Sequence, residues 1–394
     1  MPQPVQPASP PPDILTPQLQ KQFAGALDRI RERVEVTLSE ADSGFPHYAD
    51  GRSGTWTRTP GGDWTGGFWV GQLWLLAHTT GEEHLIRAAR HWSSLLQERA
   101  DSDTIFRGFL FWYGSAIGAV LLDDDAAADH AVRGAQGLHA SFNDKAGLMP
   151  LGDAAEEAAD VGHEATNIDG VPGGTPLLQW AAARTGAEKM ALDAGRHASR
   201  HAALCVRDDA SVCQSAVFDP ATGQLLRRYT HKGFSDDSTW ARAQTWAMLG
   251  FTQAAAHCGR ETFLPTARSV CDWYVERLPE TGISFWDFDD PNAPDTSIDT
   301  SATAIGAASL LKLAALDPSR AARYQRSAIG SLAALTGNHL TPTDEGERRP
   351  AGMLLHGCYN RRIGLAVDDE LIWGDYFLLE ALLAATGRLD TRAL

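Results

Sequence analysis

The sequence comprises 394 residues, of which 43% are hydrophobic, and carries a formal net charge of −16. This apolar fraction is ample for a core, and the length fits either a few ordinary domains or one closed ring of helices. The excess of negative charge argues against nucleic acids and anionic membranes as general partners. An acidic substrate would therefore need a local basic patch.

The five cysteines are scattered, and no Cys or Cys/His group has the spacing of a zinc site, so we expect no metal and no other cofactor. Residues 1–17 are rich in proline and lack the features of a signal peptide, and we expect a disordered lead. No apolar run reaches membrane-spanning length. We therefore expect a cytoplasmic monomer or dimer without a nucleic-acid or membrane partner.

Helical pairs recur along the chain. Residues 18–40 carry apolar side chains at helical spacing, and an irregular stretch follows at 41–67. Beyond it, an apolar helix, a short turn and an amphipathic helix recur, which indicates a solenoid or a closed ring in one domain, 18–394. The apolar inner helices are predicted at 68–78, 108–121, 174–184, 238–257, 300–316 and 369–385. The amphipathic outer helices are predicted at 83–98, 126–142, 188–204, 261–277 and 320–336, with a sixth hairpin ending near residue 386.

Strands are few in this prediction. Residues 215–218 and 225–229 flank a turn-rich loop and predict a small β-hairpin. Residues 283–288 are predicted to be a short extended piece. The polar residues of interest cluster in the loops that lead into the inner helices, so the pocket is expected at that end.

The stretch 231–246 carries a His, a Lys, an Arg, two carboxylates and two Trp. It is predicted to become helical from Ser238, which puts Arg242 and Trp246 on one face. A Trp that stacks on a pyranose ring and an Arg that holds an anion would form a wall of a sugar pocket. The alternative is an Arg242 that pairs with a carboxylate inside the helical core, and the sequence leaves both open.

Asp169 lies between Ile168 and Gly170 in the loop before the third inner helix. Partial desolvation would raise the pKa of this carboxyl and suit it to general acid catalysis. Alternatively, Asp169 caps the following helix. Two histidines in these loops, His163 and His231, fit a structural role as well as a catalytic one.

Six motifs resemble family 88 of the glycoside hydrolases, the unsaturated glucuronyl hydrolases, in the same order from about residue 20 to 385. They are Asp63-Trp64-Thr65-Gly66-Gly67-Phe68-Trp69, Asn167-Ile168-Asp169, the stretch 231–246, Trp286-Asp287-Phe288, Asp299-Thr300-Ser301-Ala302 and Trp373-Gly374-Asp375-Tyr376. The resemblance implies an all-α fold, an (α/α)6 barrel of six helical hairpins with a small β-hairpin in a loop.

The resemblance also implies a reaction. In this family an Asp protonates C4 of a 4,5-unsaturated uronic acid and helps water add at C5, and the resulting hemiketal opens and releases the aglycone. That Asp falls on Asp169. By the same resemblance, Arg242 and His231 are polar contacts to the sugar, and Trp64 and Trp246 are stacking walls.

Several pocket positions depart from the family pattern. The family's second catalytic Asp would fall at Ile105 or Phe106, and the nearest substitute is Asp103. We expect Phe106 to line the pocket near the sugar and to exclude water there. Gln214 stands where the family has a His. Lys232 stands where it has a Gln, which adds positive charge and suggests an anionic substrate.

The leading hypothesis is a hydrolase that acts on an oligosaccharide with an unsaturated uronic acid, or a related modified sugar, at its non-reducing end. The alternatives are a divergent glycoside chemistry that uses Asp169 with His163 or Glu164, and a sugar-binding barrel that has lost catalysis. A second acid near Asp169 would favour an enzyme. Catalysis is assigned to Asp169, and substrate binding to Trp64, Phe106, His163, Asn167, Gln214, His231, Lys232, Trp240, Arg242 and Trp246.

Overall fold

The computed structural model describes residues 13–40 and 44–394. Residues 1–12 of the predicted Pro-rich lead lie outside the described residues. Ile14 and Leu15 are buried against the core, so the folded domain begins a few residues before the predicted boundary at 18.

Most of the described chain is helical, and the apolar and amphipathic helices alternate as predicted. The helices are α1 (Pro17–Ser39), α2 (Gly66–Thr80), α3 (Glu83–Leu95), α4 (Arg107–Phe111), α5 (Ile117–Leu122), α6 (Asp125–Ala140), α7 (Ala158–Val161), α8 (Gly174–Thr185), α9 (Glu188–Cys205), α10 (Ala241–His257), α11 (Arg260–Arg277), α12 (Thr300–Leu316), α13 (Ala321–Asn338) and α14 (Ile372–Ala385). A π-helical turn, Trp112–Ala116, joins α4 to α5, so these three segments form one inner helix.

Inner and outer helices differ in how much of their surface is buried. Every residue of α12 from Thr300 to Ala314 is buried, whereas its outer partner α13 buries side chains only on one face. A helix that is apolar all round needs neighbours on every side, which a closed ring supplies. The prediction of an (α/α)6 barrel is confirmed.

The sixth helical pair differs from the prediction of consecutive hairpins. α14 packs between α12 and α2 and closes the inner ring, but a short 3-10 turn, Thr391–Ala393, follows it instead of an outer helix. The outer position is filled by α1, which packs against α13 and α14. Ring closure brings the two ends of the chain together, and the buried pair of Arg33 and Glu370 (2.5 Å from Nη2 to Oε2) joins them.

Two antiparallel sheets lie in the long loops before the inner helices. Strands β3 (Ala165–Asn167), β4 (Ser215–Phe218) and β5 (Leu225–Tyr229) form one sheet, in which β4 and β5 are the predicted hairpin. The other sheet was not predicted and has the order β2-β1-β7-β6. Its strands are β1 (Phe45–Ala49), β2 (Trp56–Thr59), β6 (Gly357–Asn360) and β7 (Leu365–Leu371).

The predicted extended piece at 283–288 forms two isolated bridges, between Phe285 and Ile298 and between Asp287 and Trp240. The connections from inner to outer helices are short turns, at residues 81–82, 123–124, 186–187, 258–259 and 317–320. Both sheets and the irregular loops therefore lie at the end of the ring where the inner helices begin. Within the described residues, no helix combines the length and the apolar character that crossing a bilayer requires.

Two loop–helix junctions approach each other closely at Gly108 in α4 and Gly174 in α8. A Cβ atom at Gly108 would lie 2.5 Å from the backbone nitrogen of Gly174 and 2.6 Å from its Cα atom. Because backbone atoms cannot rotate away, we expect Gly108→Ala to lower the free energy of unfolding by about 1–3 kcal/mol. Chemical denaturation measures this change.

The matched control is Gly25→Ala in α1, where no heavy atom lies within 4 Å of the added Cβ. This change should leave stability equal or raise it by up to about 1 kcal/mol, because Ala favours a helix over Gly. Equal stability of the two variants would contradict the close approach of α4 and α8.

Candidate active site

Asp169 lies in a 3-10 turn, Ile168–Gly170, between β3 and α8. Its residue surface is 5% exposed, and its Oδ1 atom has no hydrogen-bond partner. The Ile105 side chain packs directly against Gly170, so an apolar wall adjoins the turn. α8 begins at Gly174 with Gly173 as its N-cap, so the alternative that Asp169 caps this helix is wrong.

A second carboxylate, Glu157, adjoins Asp169. The Glu157 side chain is 2% exposed and accepts hydrogen bonds from Lys232 Nζ (2.6 Å) and Asn167 Nδ2 (2.8 Å). The substitutes proposed from the sequence lie elsewhere. Asp103 is 56% exposed and accepts from the backbone nitrogen of Asp153, and Glu164 is exposed.

The environment of Asp169 favours its protonated form. Burial, and next the negative charge of Glu157, raise the pKa of Asp169 to about 8, although Lys232 and Arg242 act in the opposite direction. Removing a carboxylate from water disfavours its charge, and a neighbouring anion adds to this effect. Asp169 therefore keeps its proton to a higher pH than an ordinary carboxyl does.

Lys232 lies between two glutamates. Its Nζ atom is 2.6 Å from Glu157 Oε1 and 3.7 Å from Glu156 Oε2, and its side chain is 4% exposed. Burial lowers the pKa of Lys232, but the two negative charges outweigh burial and the net shift is upward. The sequence predicted a positive charge available to the substrate, whereas this ammonium is already paired within the protein.

Aromatic and polar side chains that the sequence analysis did not assign complete this cluster. The Tyr359 hydroxyl donates to Glu156 and accepts from Trp64 Nε1 (3.1 Å). The ring of His47 packs 5.5 Å from Tyr359, and burial lowers the pKa of His47 to about 4, which keeps it neutral. The feature of the sequence that could have indicated these residues is their position, because His47, Glu156 and Tyr359 all lie in loops that lead into inner helices.

Phe106 lies on the inner side of the ring, beside Trp64 (ring centroids 5.9 Å apart) and parallel to Phe109 (6.1 Å). It is buried and contributes an apolar surface next to Trp64, whose ring lies 5.8 Å from Lys232 Nζ. Trp246 is fully buried against Phe109 (4.9 Å) and Phe377 (5.6 Å). The expected stacking face of Trp246 is thus covered by core side chains in this structure.

Arg242 forms an internal ion pair with Asp299, with 2.6 Å between Nη1 and Oδ2. The same guanidinium donates to the backbone carbonyls of Cys358 and Tyr359, and it lies 4.3 Å from the ring of Trp240. Of the two readings that the sequence left open, the pairing with a buried carboxylate is the one observed. Trp240 accordingly lies under Arg242 and is fully buried.

The remaining assigned residues fall into two groups. Asn167 and Gln214 are buried in the cluster: Asn167 Oδ1 accepts from Ser215 Oγ (2.5 Å), and Gln214 Oε1 accepts from the Lys232 backbone nitrogen (2.8 Å). The Nε2 atom of Gln214 has no partner. The two histidines lie outward: His163 is 61% exposed and pairs with Asp153, and His231 is partly buried with its carbonyl bound by Arg362.

A group of possible metal ligands lies away from this cluster, at the surface between α1 and α3. It consists of Glu35, Glu82 and His84. Arg31 already donates to both carboxylate oxygens of Glu82 at 2.7 Å, so this arrangement is an ion-pair network.

A buried carboxyl with a raised pKa near a second carboxylate can donate a proton and then accept one, which is the chemistry that glycoside hydrolases use. The aromatic side chains around this pair suit the apolar faces of a sugar ring. The fold and the site together define an (α/α)6-barrel enzyme that acts on carbohydrates.

Comparisons with known proteins agree with this class, although no protein-family model matches the chain. The chain is 34% identical over 351 residues to the unsaturated glucuronyl hydrolase of Bacillus sp. (strain GL1), covering 86% of this chain and 90% of that protein. It is 30% identical to the unsaturated chondroitin disaccharide hydrolase of Streptococcus pneumoniae (strain ATCC BAA-255 / R6), covering 93% of each. The crystal structure of the Bacillus enzyme superposes with a TM-score of 0.84 at 32% identity, covering 92% of this chain and 96% of that chain.

The chain therefore belongs to the unsaturated glucuronyl hydrolases, family 88 of the glycoside hydrolases.

The pairing of Arg242 predicts that this residue acts mainly on stability. Arg242→Met leaves Asp299 buried without its cation, and breaking such a pair costs about 3–5 kcal/mol. We expect a loss of this size in chemical denaturation. Arg268→Met is the control, since Arg268 makes a bond of the same length (2.6 Å) to Asp317 from a partly exposed position, and its loss should be smaller.

An Arg242→Met variant with unchanged stability and a raised KM would contradict this reading, because that result indicates a contact made by the substrate alone.

Proposed function

We propose that this enzyme adds water to a 4,5-unsaturated uronic acid at the non-reducing end of an oligosaccharide and so releases the glycoside. The observation that carries the proposal is the buried Asp169, with an unpaired Oδ1 atom, near the second carboxylate of Glu157, which helps to raise its pKa. A binding protein would have no need to keep one carboxyl protonated next to another. The relatives, an unsaturated glucuronyl hydrolase and an unsaturated chondroitin disaccharide hydrolase, support the substrate class.

The proposed reaction balances with water as the only co-reactant. Asp169 donates its proton to C4, and water adds to C5 while it returns a proton to the carboxylate. C5 then carries a hydroxyl group and the ring oxygen, and this hemiketal opens to a ketone. Ring opening leaves C1 as a hemiacetal that carries the former ring oxygen as a hydroxyl group. C1 then becomes an aldehyde as its bond to the aglycone oxygen breaks, and the hydroxyl proton passes to the aglycone, which leaves as an alcohol.

We propose that the apolar face of the sugar packs near Trp64 and Phe106, and that the unpaired Nε2 atom of Gln214 donates to a sugar oxygen. Asn167 would act indirectly, because its amide already bonds Glu157 and Ser215. His231 stays a proposed contact at the outer part of the site.

The substrate is proposed to be anionic through its uronic carboxylate. Because Lys232 is paired with Glu157, it could bind an additional sulfate group of the substrate only by giving up this ion pair. We also propose the cytoplasm as the compartment, since the five cysteines are free thiols in the structure and disulfides form in oxidising compartments.

The test is a screen of unsaturated disaccharides with different aglycones, followed by the ultraviolet band of the conjugated enol-ether acid. Hydration at C4 and C5 removes this band. Matched saturated disaccharides are the control and should not be cleaved. Release of aglycone from the saturated substrates at the same rate would exclude the hydration chemistry and indicate direct glycosidic displacement.

Asp169→Asn is expected to lower kcat by about 10²-fold or more, because the amide keeps the shape but cannot transfer the proton. The folded-state pKa of Asp169 lies above the ordinary value of 3.8, so wild-type stability falls as the pH rises from 3.8 to about 8. The Asn variant avoids this loss, and its melting temperature at pH 7 should equal or exceed that of the wild type.

Turnover at the wild-type rate would reject Asp169 as the acid. A lower melting temperature with lost turnover would instead indicate a structural role.

A further inference from the structure

The buried ion pair of Glu157 and Lys232 lies near Asp169, and Glu157 belongs to none of the motifs that mark the family. We propose that Glu157 keeps Asp169 in its acid form and that Lys232 limits this effect, so that the pair sets the pH range in which the enzyme works. Glu157 is thus a positioning residue that acts through Asp169. This inference rests on the proposed role of Asp169 as the proton donor.

The geometry holds Glu157 in one place. One carboxylate oxygen accepts from Lys232 Nζ at 2.6 Å and the other from Asn167 Nδ2 at 2.8 Å. Asn167 is itself fixed by Ser215 and precedes Asp169 by two residues, at the end of β3. Both charged side chains are nearly inaccessible to water, so solvent and salt screen their effect on Asp169 only weakly.

Other groups near Asp169 are Arg242 on α10 and three side chains on α9. The charge of Arg242 also lowers the pKa of Asp169, and this guanidinium is itself paired with Asp299. On α9, burial lowers the pKa of His201 to about 4 and that of His197 well below its ordinary value, so both rings are neutral. Cys205 at the end of α9 is a neutral thiol, since its hydrogen bond with Cys213 and its burial raise its pKa.

Because Glu157 and Lys232 carry opposite charges, their substitutions are expected to shift the pH profile of kcat in opposite directions. General acid catalysis ends as the pH rises above the pKa of the acid, which gives an alkaline limb in the pH profile of kcat. Glu157→Gln removes the anion that favours the acid form, and we expect this limb to move to lower pH by about one unit, a loss of about tenfold in kcat on the alkaline limb that is recovered at lower pH. Lys232→Met should move the limb to higher pH.

Glu156→Gln is the matched control. Glu156 also contacts Lys232, but at 3.7 Å and from a partly exposed position, and it is not among the main causes of the Asp169 shift. Even if Glu156→Gln changes kcat itself, it should shift the alkaline limb of the pH profile by less than Glu157→Gln does. The double variant Glu157→Gln/Lys232→Met removes both charges, so its limb should return toward that of the wild type, and Glu157 is not left buried as an unpaired ion.

Melting temperatures show which variants are folded under the assay conditions. If a single variant is unfolded, the pH profile of the double variant tests the inference instead. The inference is overturned if Asp169→Asn is inactive while the limb of Glu157→Gln stays in place or moves to higher pH. Wild-type turnover by Asp169→Asn would remove the proposed acid, and this inference with it.

Discussion

Closure of the inner ring is the constraint on which the rest of the structure depends. α14 must pack between α12 and α2, and only then are the apolar surfaces of the inner helices covered on every side. Since the turns from inner to outer helices are short, closure also gathers the long loops at one end. The loops that carry His47, Glu157, Lys232 and Tyr359 meet there although they are far apart in the chain.

A second constraint follows from this burial, because a charge taken out of water requires a partner. Arg242 is paired with Asp299, Arg33 with Glu370 and Lys232 with Glu157. The charges of Arg242 and Lys232, which the sequence analysis expected to contact the substrate, are therefore already balanced within the protein. Asp169 and Asp375 differ, since each has an Oδ1 atom without a hydrogen-bond partner and burial raises the pKa of both carboxyls. Of these two carboxyls, Asp169 is the one near the Glu157–Lys232 pair, and it is the acid of the proposed reaction.

The helical ring and the burial of Asp169 could be predicted, because each depends on a pattern within a short segment. Apolar periodicity marked the inner helices, and the Asn167-Ile168-Asp169 motif marked the acid. The positions of Glu156 and Glu157 in the site were not predicted, because a segment rich in Ala and acidic residues is typical of a solvated surface. The strand pairing of β1 with β7 also escaped, because it joins residues more than 300 positions apart.

The sequence by itself determined which segments become helices, which of them are buried all round, and which family's chemistry the chain carries. Hydrophobic period and local motifs are properties of neighbouring residues, so they are visible without the fold. Only the tertiary structure decided that α1 completes the sixth pair, that Arg242 is bound internally and that Glu157 is the second carboxylate. Each of these depends on which side chain, distant in the sequence, fills a buried position. The free energy of burying a charge or an apolar surface depends on that partner, so it cannot be judged from neighbouring residues alone.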